Sequence, residues 1–310
     1  MNMLLAHGAT DEHPEGQSIE AHLKGTGELA ETFAAEFGAA ANGKLCGLAH
    51  DIGKYSDEFQ LRLRGGKKVD HATAGAIECF KIKAAFEAVC VIGHHSGLPN
   101  VGHKDADTTE SQTFFGRKLR AEQGGIPDYR KNWNGHIALP QDYFRPSGRG
   151  FATAFYIRML YSCLVDADYI DTETFMNGDA GRGNYEPLSA LCDKLTAYIS
   201  KWNNPTREID ILRQKILNSC IEKASAPRGI FSLTVPTGGG KTVASMAFAL
   251  NHAAANSMKR IIYVIPYTSI IEQNAKVFRD ILGQENVVEH HSSVSYELSE
   301  NADELEYRSA

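Results

Sequence analysis

The sequence predicts two domains, a mainly α-helical bundle followed by a partial α/β domain with parallel strands. Three observations carry this. Apolar residues recur at helical spacing over most of the first two-thirds, as in Leu23, Leu29, Phe33 and Phe37. After Pro227 short β-prone runs alternate with helical stretches, the order that gives parallel strands joined by helical crossovers. A length of 310 residues suits about two domains. The boundary is placed at Asn203-Asn204-Pro205, giving a helical domain over 1–205 and an α/β domain over 206–310.

In chain order, helices are predicted over residues 19–41, from near Lys44 through Leu45, Leu48 and Ile52, and over 71–90, 151–169, 187–202 and 208–223. Residues 97–150 are rich in Gly, Pro, Asn and Asp and read as a long loop around one short helix near 114–122. Residues 171–185, with Gly178, Gly181 and Gly183, read as another loop. In the second domain 230–235, 260–265 and 286–289 read as strands, and 243–255 and 269–282 as helices. No internal repeat is present.

Composition narrows the class. With 43% hydrophobic and 23% charged residues the chain has the balance of a soluble globular protein. No apolar run approaches the roughly 18 residues of a membrane span, and the first eight residues lack the pattern of a secretory signal. The six cysteines form no C-x-x-C pair and sit in apolar segments, which predicts reduced, buried thiols in a cytoplasmic protein. The net charge of −6 gives no global footprint of nucleic-acid binding. Two local basic clusters, Arg62, Arg64, Lys67, Lys68 and Arg117, Lys118, Arg120, read either as polyanion contacts or as solvated faces.

One motif reads as a phosphate-binding turn. Val235-Pro236-Thr237-Gly238-Gly239-Gly240-Lys241-Thr242 lies between a predicted strand and a predicted helix. Its glycines let successive N–H groups curl around a phosphate, and the following helix N-terminus adds its dipole. Lys241 is expected at the β/γ-phosphates and Thr242 on Mg²⁺. The strict pattern has glycine where Val235 stands. Downstream, Tyr263-Val264-Ile265-Pro266-Tyr267-Thr268-Ser269 resembles the next motif of superfamily-two helicases, and Gln214 reads either as an adenine contact or as a helix-surface residue. No D-E-x-H or D-E-x-D follows, and Asp303-Glu304-Leu305-Glu306 has no buried strand before it. The chain is therefore expected to bind nucleotide weakly without turning it over, as a truncated helicase.

The other constellation is of histidine and aspartate. It comprises His22, His50-Asp51, His71, His94-His95, and Asp166 or Asp168. Imidazole with carboxylate suits Mn, Fe, Co, Ni or Zn better than Ca or Mg. Adjacent helical residues point about 100° apart, so neither tandem pair chelates a single ion well. Each suits a two-ion site in which Asp51 bridges. Lys54, one turn after His50, can neutralise a phosphate oxygen. Asp70 reads as a helix cap before His71.

These residues resemble the HD phosphohydrolase superfamily. An HD domain fused to a superfamily-two motif is similar to the CRISPR-associated helicase–nucleases of type I systems. That resemblance implies an HD nuclease bundle over 1–205 and the first part of a RecA-like helicase domain over 206–310. It implies cleavage of single-stranded DNA in antiviral defence, coupled in the full-length protein to ATP-driven 3′-to-5′ translocation. Two divalent ions, Mn, Fe, Co or Ni, are implied in the HD domain, and ATP with Mg at Thr237, Gly238, Gly239, Gly240, Lys241 and Thr242. The implied metal ligands are His22, His50, Asp51, His71, His94, His95 and Asp168, with Asp51 and Lys54 catalytic. Asp166 stands as the alternative to Asp168, and His7 and His13 lie near His22. Implied partners are single-stranded DNA and a Cascade-type RNA–protein complex, with no membrane, for a cytoplasmic monomer. The competing readings are an HD phosphohydrolase acting on nucleotides and a non-catalytic docking fragment.

Overall fold

A computed structural model describes residues 3–9, 13–148, 150–178 and 185–291. The chain divides into two compact units, Met1–Ala180 and Gly181–Ala310.

The first unit opens with a short antiparallel pair, β1 (Leu5–His7) and β2 (Gln17–Ser18), with His7 opposite Gln17. Segments this short leave no periodic signal in the sequence. Ser18 then caps α1 (Ile19–Ala35), its Oγ accepting the Ala21 N–H at 3.1 Å. The chain turns before α2 (Ala40–Ala49), so residues 19–41 hold one helix and the start of the next. A Cβ at Gly47 would lie 2.5 Å from the Cα of Gly27, so α1 and α2 meet backbone to backbone. The 3₁₀ turn Ile52–Tyr55 leads into α3 (Asp57–Arg62), capped by Ser56.

The helix expected over 71–90 is two helices, α4 (Ala72–Lys81) and α5 (Ala85–Gly93). Lys83 between them has φ 65°, a left-handed conformation that cannot continue an α-helix. The short helix of the long loop region, α6 (Phe114–Glu122), lies where the sequence places it. The rest of that region is strapped to the bundle. Asn42 exchanges hydrogen bonds with the backbone of Phe144, Tyr143 donates to Glu87 at 2.7 Å, and Tyr129 and Arg130 reach Glu78.

α7 spans Phe151–Asn177, so the first part of the expected 171–185 loop is helical, while 179–184 lie outside the described residues. Asp171 and Phe175 make tertiary contacts there, which override weak local propensity. Ile19, Ile52, Ile92, Leu160 and Leu164 are fully buried at the centre of the bundle.

The second unit contains α8 (Leu188–Ile199), α9 (Glu208–Lys223), α10 (Lys241–Ala255) and α11 (Thr268–Leu282). Leu195 of α8 shares a core with Leu217, Leu250 and Phe278. That helix therefore packs in the second unit, and the 205/206 boundary falls inside it. The segments 230–235, 260–265 and 286–289 form no strands, and the last includes the end of a 3₁₀ turn, Gln284–Asn286. A parallel strand exists only within a ladder, and among the described residues none of these finds one. Ile230, Ile262 and Val264 stay exposed in consequence.

Among the described residues no helix is long and apolar enough to cross a membrane. All six cysteines are free, five buried and Cys192 half-buried.

Candidate metal centre

Helix ends gather the side chains. His22 lies in the first turn of α1, His50 caps the C-terminus of α2 with Asp51 next to it, and His71 precedes α4. His94 and His95 end α5, and Asp168 projects from α7.

A carbonyl oxygen only accepts, so it fixes which ring nitrogen carries hydrogen. His50 Nδ1 donates to the Gly47 carbonyl at 2.7 Å, His94 Nδ1 to Val91 at 2.7 Å, and His71 Nδ1 to Val69 at 3.3 Å. Each leaves an Nε2 lone pair facing inward. His22 Nδ1 lies 2.7 Å from the Asp171 carboxylate and is fixed in the same sense.

The inward atoms form two groups. Asp51, His71, His94 and His95 make one, and His22, His50, Asp51 and Asp168 the other. Within each group the ligand atoms all lie within 4.8 Å of one another. Asp51 belongs to both, with one oxygen for each. Its Oδ1 lies 3.5 Å from His71 Nε2 and 3.4 Å from His94 Nε2. Its Oδ2 lies 3.3 Å from His22 Nε2 and 3.4 Å from His50 Nε2. Asp168 Oδ1 closes the second group at 3.3 Å from His22 and 3.4 Å from His50. Lys54 Nζ sits 2.6 Å from Asp51 Oδ2.

The donor set fits divalent cations. Asp51 Oδ1 and His94 Nε2 are buried without a hydrogen-bond partner, a costly state unless a cation meets them. The Nε2 atoms of His22 and His50 are 3.1 Å apart. With both Nδ1 atoms already donating, two lone pairs face each other and need a proton or a metal between them.

Four of the histidines shift in opposite senses. Burial opposes charge on His22 and His50, but Asp168, Asp171 and Asp51 around the first lift it to about 9, and Asp51 and Asp168 lift the second to about 10. Burial pushes His71 down to about 4 and His95 to about 3. Burial also opposes ionisation of Asp51, yet Lys54 and His50 hold its carboxyl well below the usual range.

Asp166 is exposed, whereas Asp168 faces the ligands, as a two-residue offset on a helix requires. His7 lies edge-on to His22 with ring centroids 4.8 Å apart, and His13 stacks on Phe175 at 4.7 Å. Neither belongs to a ligand group among the described residues. Asp171 is the residue sequence reading missed. Its signal is the i, i+3 spacing from Asp168 on one helix face. Gln17 Nε2 donates to it at 2.8 Å, and a Cβ on Gly25 would collide with its carboxylate.

In the second unit, residues 237–242 form the turn into α10. Gly238 and Gly240 both adopt φ 81°, where side-chain-bearing residues are strained, and Lys241 opens the helix. Arg213 Nε donates to the Gly238 carbonyl at 2.9 Å and fixes the turn. Thr237 and Lys241 are exposed and Thr242 half-buried at the helix N-terminus, an arrangement suited to an anion. Thr268 opens α11, and Gln214 is half-buried on α9. Asp303-Glu304-Leu305-Glu306 lies outside the described residues.

Comparison with known families assigns both regions. Residues 19–121 match the family described as HD domain. Residues 209–306 match the family described as Type III restriction enzyme, res subunit (ResIII). The chain carries an HD domain followed by a ResIII domain. A search of curated proteins finds no match. The HD match contains six of the gathered side chains, from His22 to His95, and α7 adds Asp168 from beyond it. An HD domain with this buried cluster is that of a metal-dependent hydrolase. The ResIII domain is helicase-like and contains the glycine turn, although its described residues hold none of the strands of a RecA-like sheet.

Proposed function

We propose that the chain is a metal-dependent nuclease that cleaves single-stranded DNA in CRISPR interference. Its ResIII domain would belong to an ATP- and Mg-dependent 3′-to-5′ helicase recruited by a Cascade-type complex. The observation that carries the hydrolytic part is Asp51, one buried carboxylate with an oxygen for each of two ligand groups. Bound there, two ions would supply an activated water and a clamp on both oxygens of an in-line phosphoryl displacement.

The residues do the rest. The carbonyl-bound imidazoles hold their lone pairs in position with no reorganisation at reaction. Lys54 offsets the buried charge of Asp51 and brings a cation to the reacting phosphate. The exposed His95 and half-buried Asp168 mark the open side, where a phosphodiester reaches the ligands. Fusion to a helicase-like domain supports a polynucleotide substrate.

The test is cleavage of circular single-stranded DNA, in chelator and then with Mn²⁺, Co²⁺ or Ni²⁺, beside Asp51→Ala. Metal-dependent cutting of the circle, lost in the variant, is expected. Cutting that survives Asp51→Ala rejects this centre as its source.

A further inference from the structure

The two basic clusters differ in what their side chains do. Those of the second are engaged within the fold. Arg117 Nη1 donates to the Ile92 carbonyl at 2.6 Å and reaches Asp70, Lys118 pairs with Glu122 at 2.5 Å, and Arg120 Nε donates to the Thr109 carbonyl at 2.7 Å. Of the first, only Arg62 has such a contact among the described residues, with the Phe59 ring. Arg62, Arg64, Lys67 and Lys68 have no ion pair among the described residues, in a chain whose net charge is −6. Four unpaired cations within seven residues repel one another, and a polyanion relieves that repulsion.

This cluster also connects to the metal centre. The buried Phe59 ring meets the His71 ring edge-on at 5.1 Å. Lys54 Nζ and the Arg62 guanidinium each lie 5.5 Å from the centre of the same ring. One aromatic ring therefore separates a metal ligand from the first arginine. The helix bearing it is anchored, with Gln60 Nε2 donating to the carbonyls of Lys54 and Leu5 at 2.9 Å and its Oε1 accepting the Leu5 N–H at 3.0 Å.

We propose that Arg62, with Arg64, Lys67 and Lys68, binds the phosphates flanking the one at the metal centre, and so selects a polynucleotide over a mononucleotide. The proposal rests on the hydrolase reading above. A mononucleotide with its phosphate at the centre leaves these cations unmatched. A strand with phosphates on both sides of the scissile one reaches the centre and the cluster together. These backbone contacts carry no base preference.

The test is anisotropy of a labelled 20-residue oligothymidylate on the full chain, in chelator, from about 50 to 200 mM salt. Changing all four residues to Gln is expected to weaken binding at least tenfold. It should also lower the slope of log affinity against log salt by about 3, near 0.7 for each lost single-strand phosphate contact. Lys118→Gln should keep the wild-type slope. With Mn²⁺ added, the kcat/KM ratio for the oligonucleotide over bis-p-nitrophenyl phosphate should fall at least tenfold in the four-residue variant. A wild-type slope in that variant, with its melting temperature unchanged, overturns the proposal. So does displacement of the oligonucleotide by dATP at equal phosphate concentration. If the wild type hydrolyses neither substrate with any metal, the hydrolase reading fails, while the salt slope still decides whether the cluster binds polynucleotide.

Discussion

Asp171 Oδ2 lies 2.7 Å from His22 Nδ1, and Gln17 Nε2 donates to the same oxygen at 2.8 Å. The carboxylate takes the Nδ1 hydrogen and commits the His22 Nε2 lone pair to the centre. Removing such a partner typically costs about 10–100-fold in metal affinity. Asp171→Ala is expected to weaken Mn²⁺ binding by that factor. Asp171→Asn keeps an accepting oxygen and should lose less. Titration against a competing chelator measures both, and equal affinity in wild type and Asp171→Ala would contradict the assignment.

Metal binding should release protons held at His22 and His50. In the metal-free protein the His22 and His50 Nε2 atoms, 3.1 Å apart, leave room for one proton between them, and the surrounding carboxylates favour keeping it above neutrality. His71 and His95 are already neutral. Calorimetry at pH 7 in buffers of different ionisation enthalpy should therefore report about one proton released per chain. The folded-state values of His22 and His50 lie above 6.5, so the stabilisation is complete below pH 6.5 and is lost as pH rises through about 9 to 10. Melting of the metal-free protein should fall across that interval, and a flat profile would contradict the shared proton.

Asp70 is a helix cap beside the centre. Its Oδ1 accepts the Thr73 N–H at 3.0 Å and its Oδ2 the Thr73 hydroxyl at 2.7 Å, with Arg117 close by. Burial opposes its charge, but Thr73 and Arg117 hold its carboxyl below the usual range. The stabilisation is therefore present above about pH 4 and is lost as pH falls through the lower folded value. Asp70→Ala should cost about 1 kcal/mol in urea melts near pH 7. The difference from wild type should shrink at about pH 3.

Gly47 is where α1 and α2 touch. Alanine there places a Cβ 2.5 Å from the Gly27 Cα and must push the helices apart. Overpacking of this kind costs about 1–3 kcal/mol. Because His22 stands on α1 and His50 at the end of α2, Gly47→Ala should lower both the melting temperature and the metal affinity. Thermal melts with and without chelator separate the two effects.

The ligand series was legible because its members occur as short strings at helix ends, such as His50-Asp51 and His94-His95. The angle between neighbouring helical residues set His94 and His95 apart, yet both fall in one group, because α5 ends at Gly93 and the helical angle does not apply to them. Asp171 was not legible in the same way, because a carboxylate that holds a ligand from behind has no motif of its own. The break at Lys83 was hidden because residues 71–90 keep helical periodicity across it, and only the backbone shows the left-handed residue. The runs at 230–235 and 260–265 have strand composition without strand structure. Composition reports what a segment can pair with, and the pairing itself depends on neighbours that the local sequence does not contain.

One carboxylate serving two ions fixes a metal count per chain, read by mass spectrometry after loading with Mn²⁺ and gel filtration, in wild type, Asp168→Ala and Asp51→Asn. Two ions in the wild type, one in Asp168→Ala and fewer than one in Asp51→Asn are predicted. A single ion in the wild type, or two retained in Asp51→Asn, would contradict the bridge.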